Sequence, residues 1–467
     1  MIRKKRMKTK KAVTFNPFVL LFSIIVICVI VSYFVESGAY DRIVSDGRSI
    51  VVPGTYHLVE KESVSFFDIF RAVPHGLIAG SSIIFLVLIV GGAIEVFNQT
   101  GAIPVGIARL VAVAGKKGGT FVLVLIFSIF AVLGGFLGWI EAAIPFVPLV
   151  IPIIIALGFD AMTAVAVVIL GTMVGFALGP TNMYTIGIAH QIAELPMFSG
   201  FGLRFIAYLC FTVTALCYIL FYAYRVRKNP EKSLVKDIDL SDIQLSYEGE
   251  KDKSLTLTQL FSLIVLIATF VCVVYGMTEW GWNINDMSAA FLFAGIVAGI
   301  SGRMGAGNIA NAFINGAKGS MGGAMVVGVA QGVGWILNKT GLMDPLIHVL
   351  SGHIDGLSPL GSAIGIFIIV ILLTGLVASG SGKAVALMPI LIPLADLVGL
   401  SRQTAIFAYQ LGDGIAHPAY FTYGTLLIFL SYAKIPYLRW MKFVLPLLVI
   451  FIILAVIFLK IAVSIDY

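Results

Sequence analysis

The stretch GGFLGWIEAAIPFVPLVIPIIIALGFDAMTAVAVVILG at 134–171 recurs without a gap as GLVASGSGKAVALMPILIPLADLVGLSRQTAIFAYQLG at 375–412. Each copy holds an apolar run with glycine, a polar turn, a short apolar run with two prolines and a longer apolar run. One offset (375 − 134 = 241) aligns the identical positions, which are Gly134, Ala143, Pro148, Ile151, Pro152, Gly158, Thr163, Ala164 and Gly171 with Gly375, Ala384, Pro389, Ile392, Pro393, Gly399, Thr404, Ala405 and Gly412. The duplication predicts a chain built from two similar halves.

The composition is that of a membrane protein. Of the 467 residues, 59% are hydrophobic and only 12% are charged, and the mean hydropathy is +1.02. A soluble domain of this length does not carry so apolar a composition. The apolar runs are continuous rather than alternating, and a membrane-spanning helix needs about 20 such residues. We therefore predict an all-α polytopic protein embedded in a lipid bilayer.

The formal net charge of +7 is concentrated in short basic clusters beside the apolar runs. These clusters lie at 3–6, 116–117 and 225–228. Positive residues beside membrane spans mark the cytoplasmic side, so we predict a cytoplasmic N-terminus and no nucleic-acid partner. The four cysteines lie in apolar runs without a CxxC spacing, which predicts neither a metal site nor a disulfide.

The chain divides into two repeats and a linker. Residues 1–224 form the predicted first repeat, with a cytoplasmic tail and scaffold helices, and 256–467 form the second. The polar residues 225–255 are expected to act as a cytoplasmic tether. An apolar span at 287–300 has no counterpart in the first half, so everything after it is predicted to run in the opposite direction through the membrane. The prediction is two inverted-topology repeats.

Each repeat contains a candidate hairpin, at 120–157 and at 364–398. The arms on either side of each polar turn have about 15 residues, or roughly 22 Å of helix, whereas the hydrocarbon core is roughly 30 Å thick. Such arms fit a re-entrant hairpin whose tip lies near the middle of the membrane. An ordinary pair of spans that turns at the surface, with Glu141 among the headgroups, stays open from these residues alone.

Each hairpin is followed by a candidate broken helix, at 161–187 and at 402–430. The first contains Gly179-Pro-Thr-Asn182, in which Pro180 cannot donate to the carbonyl of Phe176. The second contains Gly-Asp-Gly-Ile-Ala-His-Pro at 412–418. Carbonyls released at membrane depth need protein or a wet cavity to receive them. A simple proline kink is the alternative, whereas inverted halves with broken helices are the design of alternating-access transporters.

Three charged residues interrupt otherwise apolar sequence and so mark a candidate substrate path. They are Glu141 and Lys383 in the two turns and Asp413 in the second broken helix. Helix N-termini near Ala143 and Ala384 would offer free N–H groups to a carboxylate. The predicted substrate-binding residues are Gly138, Trp139, Glu141, Ala142, Thr181, Asn182, Ser379, Gly380, Ser381, Gly382, Lys383, Asp413 and His417.

Two acids and one base favour a zwitterionic or basic amino acid such as arginine or ornithine. Its carboxylate would lie on the helix ends and Lys383, and its amino groups would face Glu141 and Asp413. Alternatives stay open at several positions. Lys383 and Asp413 can form a structural ion pair, His417 can carry a coupling proton or be a hydrogen-bonded core residue, and Trp139 can stack on a guanidinium or pack the tip.

The sequence AVALMPILIP at 384–393, together with the 412–418 segment, resembles the YfcC-like basic amino acid antiporter family. That family belongs to the C4-dicarboxylate anaerobic carrier group of the ion transporter superfamily, and the resemblance covers essentially the whole chain. It implies re-entrant hairpins, a scaffold and a transport domain, elevator-type movement and a homodimer. We expect such a protein in the bacterial cytoplasmic membrane.

The turns depart from the sodium-coupled branches of that superfamily, which carry Ser-Asn-Thr at both tips. Here they read Gly-Trp-Ile-Glu at 138–141 and Ser-Gly-Ser-Gly-Lys at 379–383. The comparison implies a proton rather than sodium as the possible coupling ion. It also leaves open that the Lys383 ammonium occupies the place of an ion.

The predicted function is therefore a secondary active transporter that works by exchange or proton coupling. A C4-dicarboxylate or small-peptide carrier is the alternative within transport, and a membrane channel is the alternative outside it. An enzyme is not expected, because the sequence has no HExxH, convincing nucleophile–base pair or phosphate-binding loop. No cofactor or metal is expected either, since His190 and Glu194 lack a third ligand.

Overall fold

A computed structural model describes residues 17–45, 48–52, 54–60, 64–240, 255–352, 356–377 and 379–467. The predicted basic tail at 1–16, with its cluster at 3–6, lies outside the described residues, as does 241–254 of the linker.

The first half is helical except for a short strand region between its first two helices. Its helices are α1 (Pro17–Ser32), α2 (Asp68–Ala79), α3 (Ser81–Gln99), α4 (Ala102–Leu137), a 3₁₀ helix (Glu141–Phe146), α5 (Val147–Ala156), α6 (Ala161–Leu178), a π-helical turn (Met183–Gly187), α7 (Ile188–Ile192) and α8 (Phe201–Lys228). The strands form two antiparallel pairs, β1 (Gly38–Ala39) with β4 (His57–Leu58) and β2 (Arg42–Ser45) with β3 (Arg48–Val51).

The second half follows a short 3₁₀ turn (Pro230–Lys232) and the rest of the linker. Its helices are α9 (Leu257–Glu279), α10 (Ile284–Ser301), α11 (Ala306–Lys339), α12 (Met343–Gly352), α13 (Pro359–Thr374), α14 (Gly380–Leu397), α15 (Arg402–Ala416), α16 (Gly424–Tyr432) and α17 (Tyr437–Ser464). The extra span predicted at 287–300 corresponds to α10.

Nine helical spans among the described residues are long and apolar enough to cross a membrane. Every residue of α6 (Ala161–Leu178) is buried, so this helix lies at the centre of the molecule. Helices α8, α9 and α17 instead expose large apolar side chains, such as Phe221, Ile267 and Ile453. An apolar exterior is what a hydrocarbon solvent requires of a helical protein. The chain is a multi-pass membrane protein.

The duplicated sequence produces duplicated local contacts. Asp160 caps α6 by accepting a hydrogen bond from the Thr163 N–H, and Ser401, at the equivalent position (160 + 241 = 401), caps α15 by accepting one from the Thr404 N–H. Helices α8 and α17, which close the two halves, each have 28 residues. These contacts support the repeat. The inversion of the halves and the re-entry of the hairpins stay predictions.

The first hairpin has a longer first arm than the sequence predicted. Helix α4 begins at Ala102 and runs for 36 residues, because no proline interrupts it after its first turn. It ends at Gly138, whose φ of 68° is in the left-handed region that favours glycine. The Gly138 N–H donates to the Gly134 carbonyl and the Trp139 N–H to that of Leu133, which turns the chain toward the 3₁₀ helix.

The second broken helix is interrupted later than predicted. Gly412 and Gly414 were assigned to the break at 412–418, but they lie inside α15, and the interruption covers 417–423. The glycines instead allow close helix crossings. A Cβ at Gly414 would lie 2.0 Å from Ala177 Cα of α6, and one at Gly412 would lie 2.6 Å from the Phe367 carbonyl oxygen of α13. Pro418, which has no N–H, follows the end of the helix.

The first part of the linker is packed rather than free. Ser233 Oγ donates to Asp160 Oδ2 at 2.6 Å, which ties the linker to the N-cap of α6. Val235 is buried, and the Arg439 guanidinium at the start of α17 forms a two-pronged ion pair with Asp237. This part of the predicted tether is therefore held against α6 and α17. That 225–255 is a cytoplasmic linker between two repeats stays a prediction.

Substitution of Gly414 by alanine tests the close crossing of α6 and α15. The added methyl group would collide with the backbone of α6, and such overpacking should destabilise the protein by about 1–3 kcal/mol. The measurement is the apparent unfolding temperature in detergent. Gly322→Ala is the matched control, because a Cβ at that helical glycine meets nothing within 4 Å. Equal unfolding temperatures for the two variants would contradict the crossing.

The Asp237 ion pair predicts a pH-dependent contribution to stability. The hydrogen bond from Arg439 lowers the pKa of Asp237 from 3.8 to about 2, so the stabilisation is present above about pH 4 and is lost as the pH falls toward 2. Because Asp237 is largely exposed, Asp237→Asn should lower the unfolding temperature by only about 1–3 °C at pH 7. Arg439→Gln should lower the unfolding temperature by the same amount. The double variant should lower it no further than either single variant does. Additive effects would show that the two residues do not interact.

Candidate functional site

The two polar turns of the repeats line one cavity of about 690 Å³. The first turn contributes Gly138, Trp139, Glu141 and Ala142, and the second contributes Ser379, Gly380, Ser381 and Gly382. The interrupted helices add Tyr184, His417, Thr422 and Tyr423. Residues that are 241 positions apart in the sequence therefore meet at one space.

The remaining walls come from helices of both halves. Helix α11 contributes Val327, Ala330, Gln331, Gly334, Trp335 and Asn338. Met277 of α9 and Ile284 at the start of α10 also contribute, and Arg42 and Asp344 close the end of the cavity beyond α11. Five aromatic residues line the cavity, which are Trp139, Phe176, Tyr184, Trp335 and Tyr423.

The second turn presents a helix N-terminus to the cavity. Helix α14 begins at Gly380, earlier than the start predicted near Ala384, because Ser379 acts as the N-cap and its Oγ accepts a hydrogen bond from the Gly382 N–H. The buried Tyr409 hydroxyl donates to the Gly380 carbonyl at 2.6 Å and holds the turn against α15. Free N–H groups and the positive end of the helix dipole favour an anionic group at this point.

Lys383 and Asp413 bind each other instead of lining the cavity. Lys383 Nζ lies 2.6 Å from Asp413 Oδ1 and donates to Thr374 Oγ1 at 2.8 Å. The two residues are only 2% and 1% exposed. Their ion pair connects α14 to α15, and Thr374 adds the end of α13. This geometry matches the structural ion pair that the sequence left open, and direct contact of either side chain with substrate stays a prediction.

Neighbouring side chains lie between Glu141 and this ion pair. Glu141 Oε1 accepts a hydrogen bond from the Tyr423 hydroxyl at 3.0 Å. The Tyr423 ring meets the His417 ring edge to face with centroids 4.5 Å apart, and His417 Nδ1 lies 3.9 Å from Asp413 Oδ2. The interrupted segment of the second broken helix thus lies between the two turns.

Tyr423 is a site residue that the sequence analysis missed. It lies at the end of the 417–423 interruption, is buried, and contacts both Glu141 and His417. The available signal was a tyrosine within the broken helix predicted at 402–430, because a buried tyrosine hydroxyl usually has a hydrogen-bond partner. Trp335 and Gln331 of α11 and Tyr184 after the first break were also missed, because nothing in the sequence relates them to the turns.

Thr181 and Asn182 do not line the cavity. Their side chains instead donate hydrogen bonds to backbone carbonyls at and beside the break in the first broken helix. Asn182 Nδ2 donates at 3.1 Å to the Phe176 carbonyl, to which Pro180 cannot donate because it has no N–H. Thr181 Oγ1 donates to the Phe136 carbonyl at the end of α4, and Gln410 Nε2 of α15 donates to the Gly179 carbonyl. The released carbonyls are therefore received by protein, as a break at membrane depth requires.

Lys383→Met tests the buried ion pair. Loss of the ammonium leaves the Asp413 carboxylate buried without its cation, which should lower the free energy of unfolding by about 3–5 kcal/mol. The double variant Lys383→Met/Asp413→Leu replaces both charges with apolar groups and should regain most of that stability. Thermal unfolding in detergent measures both. A Lys383→Met protein as stable as the wild type would contradict the ion pair.

Comparison with known proteins identifies the family. The family model described as "C4-dicarboxylate anaerobic carrier" matches residues 16–464. A relative from Escherichia coli K12 named "Putative basic amino acid antiporter YfcC" is 28% identical over 466 residues, which cover 91% of this chain and 92% of the relative. A relative from Haemophilus influenzae, named "Uncharacterized protein", is 27% identical over 506 residues, which cover 98% and 99%.

Two solved structures match along most of the chain at low similarity. The Alcanivorax borkumensis YdaH transporter is 15% identical, with 97% of this chain and 99% of that chain covered and a TM-score of 0.42. Neisseria gonorrhoeae MtrF, described with a class of antimetabolite efflux pumps, is 16% identical, with 96% and 95% covered and a TM-score of 0.43. The match to the family model covers nearly the whole chain, and the chain therefore belongs to the C4-dicarboxylate anaerobic carrier family of membrane transporters.

Proposed function

We propose that the protein is a secondary transporter that moves a basic amino acid such as arginine or ornithine by alternating access. The observation that carries the proposal is that both turns line one cavity, to which Glu141 and the N-terminal turn of α14 both contribute. A solute with a carboxylate at one end and a cation at the other fits this arrangement. The cavity volume is in the range of ordinary small-molecule sites.

The charges along the cavity favour a cationic group on the solute. The acids are Glu141 and Asp344, and Asp344 already pairs with Arg42 at 2.7 Å. Lys383 is held by Asp413 behind the wall. Glu141 has the neutral Tyr423 hydroxyl as its hydrogen-bond partner, so a cation on the solute would be its first opposite charge. The faces of Trp139 and Trp335 can add cation–π attraction for a guanidinium.

The solute carboxylate would lie against the first turn of α14. Gly380, Ser381 and Gly382 line the cavity, and their small side chains allow a ligand to approach the backbone N–H groups. The sequence-based assignment also placed the carboxylate on Lys383 and on the helix end near Ala143, and an amino group against Asp413. Here Lys383 and Asp413 bind each other behind the turn. The name of the E. coli relative is in keeping with a basic amino acid.

A C4-dicarboxylate is the alternative that the family name suggests. Its second carboxylate would face Glu141, which is unfavourable while Glu141 is ionised. For coupling we propose exchange or a proton rather than sodium. The carboxylates of Glu141 and Asp413 and the imidazole of His417 are side chains of the kind that can take up a proton.

We further propose inverted repeats with re-entrant turns, elevator-type movement and a homodimer in the bacterial cytoplasmic membrane, with the N-terminus inside. The pattern of contacts supports the topology. Asp237 of the linker, which is predicted to be cytoplasmic, pairs with Arg439 at the start of α17. Arg42 pairs with Asp344, and Ser199 donates to Gln403, so in each case the two segments lie at the same end of the molecule.

Glu141→Gln tests the cationic end of the site. Loss of the charge should raise the KM for labelled L-arginine uptake into proteoliposomes by about tenfold to a hundredfold. The KM for L-citrulline, whose side chain is nearly isosteric with that of arginine but neutral, should rise much less. Glu95→Gln is the matched control, because Glu95 lies on α3 outside the cavity and accepts a hydrogen bond from Gln99. Unchanged preference for arginine over citrulline in Glu141→Gln would contradict the proposal.

A further inference from the structure

A second cavity, of about 510 Å³, adjoins the first beyond the end of α11. Arg42, Asn338, Met343 and Asp344 line both cavities, so they form the boundary between them. The outer cavity also contacts Glu60 and Lys339. The outer cavity therefore has as many acidic as basic side chains in its lining. The inner cavity has two acidic side chains, Glu141 and Asp344, against one arginine.

The boundary contains an ion pair that is also hydrogen-bonded to the backbone. Asp344 is 4% exposed and lies in the first turn of α12, where it accepts hydrogen bonds from the Tyr40 N–H at 3.0 Å and from Arg42 Nη2 at 2.7 Å. Arg42 Nη1 donates to the Tyr40 carbonyl. The arginine lies on β2, which belongs to the first half, whereas the aspartate belongs to the second. The ion pair thus joins the strand region to the rim of the inner cavity.

We infer that the outer cavity is a capture site for zwitterionic amino acids, with Arg42 for the carboxylate and Asp344 for the cationic group. The inference rests on the proposed function of the inner cavity. A solute that carries both charges can replace each partner of the pair at once. A solute with one charge cannot, because it would leave either Asp344 or Arg42 without its counter-charge.

Because Asp344 is buried, only certain solutes can take the place of Arg42 beside it. Removing the cation from a buried carboxylate is strongly unfavourable, so the Arg42–Asp344 pair should open only when an incoming cation takes the place of Arg42. Arg42, which is about two-fifths exposed, is then free to hold the carboxylate of the same solute. The boundary opens as the solute binds, and the solute passes on to Glu141 and α14.

The test is the rate at which ligand reaches the inner cavity, measured by stopped-flow as the change in intrinsic tryptophan fluorescence of the full-length protein. Two of its five tryptophans, Trp139 and Trp335, line that cavity. The ligands are L-arginine and agmatine, which lacks the carboxylate. Arg42→Gln should slow the association of L-arginine about threefold to tenfold, with a smaller effect on agmatine. The readout is the ratio of the two association rates rather than the equilibrium Kd, because Arg42 also lines the inner cavity.

Two controls separate capture from structure. Arg42→Lys keeps the charge and should restore most of the rate. Arg402→Gln removes an arginine that binds Asp396 outside both cavities, and it should leave both rates unchanged. If Arg42→Gln slowed or accelerated both ligands equally, or left L-arginine unaffected, the pair would be a simple clamp and the inference would be wrong. Absence of any L-arginine response in the wild type would instead contradict the proposed function.

Discussion

The architecture depends on the cost of burying charge inside the protein. Lys383 and Asp413 lie where an isolated charge is unfavourable, and each is stabilised mainly by the other. Because Lys383 is in the second turn and Asp413 is in the helix that follows, the pair fixes the turn against the centre of the molecule. The position of the α14 N-terminus, and with it one wall of the inner cavity, follows from this contact.

The same requirement explains how the broken helices persist. Backbone groups that leave the helical pattern must find partners inside the protein, and here the partners come from other elements. Gln410 of α15 binds the carbonyl of Gly179 after α6, and the Trp440 indole of α17 binds that of Pro418 after α15. Each break is therefore held by another helix. Movement of one element in a transport cycle would have to exchange these bonds in a concerted way.

Much of this architecture could be predicted from the sequence because it depends on local chemistry. The duplication, the apolar spans, the interruption beside Pro180 and the polar turns around Glu141 and Lys383 all leave a signal in neighbouring residues. The glycines of 412–418 were misjudged because a glycine signals either a bend or a close crossing, and only the presence of Ala177 opposite Gly414 decides between them. Tyr423, Arg42 and Asp344 could not be identified, since their partners lie far away in the chain. The docking of 229–240 was missed for the same reason.

The central claim is that the two turns meet at one solute site within the membrane. The most direct measurement is an electron cryo-microscopy map of the protein in lipid nanodiscs with saturating L-arginine. The account predicts ligand density between Glu141 and the first turn of α14, with both turns at the depth of the hydrocarbon core. A map that places the turns among the headgroups on opposite faces, or the ligand away from both, would contradict it.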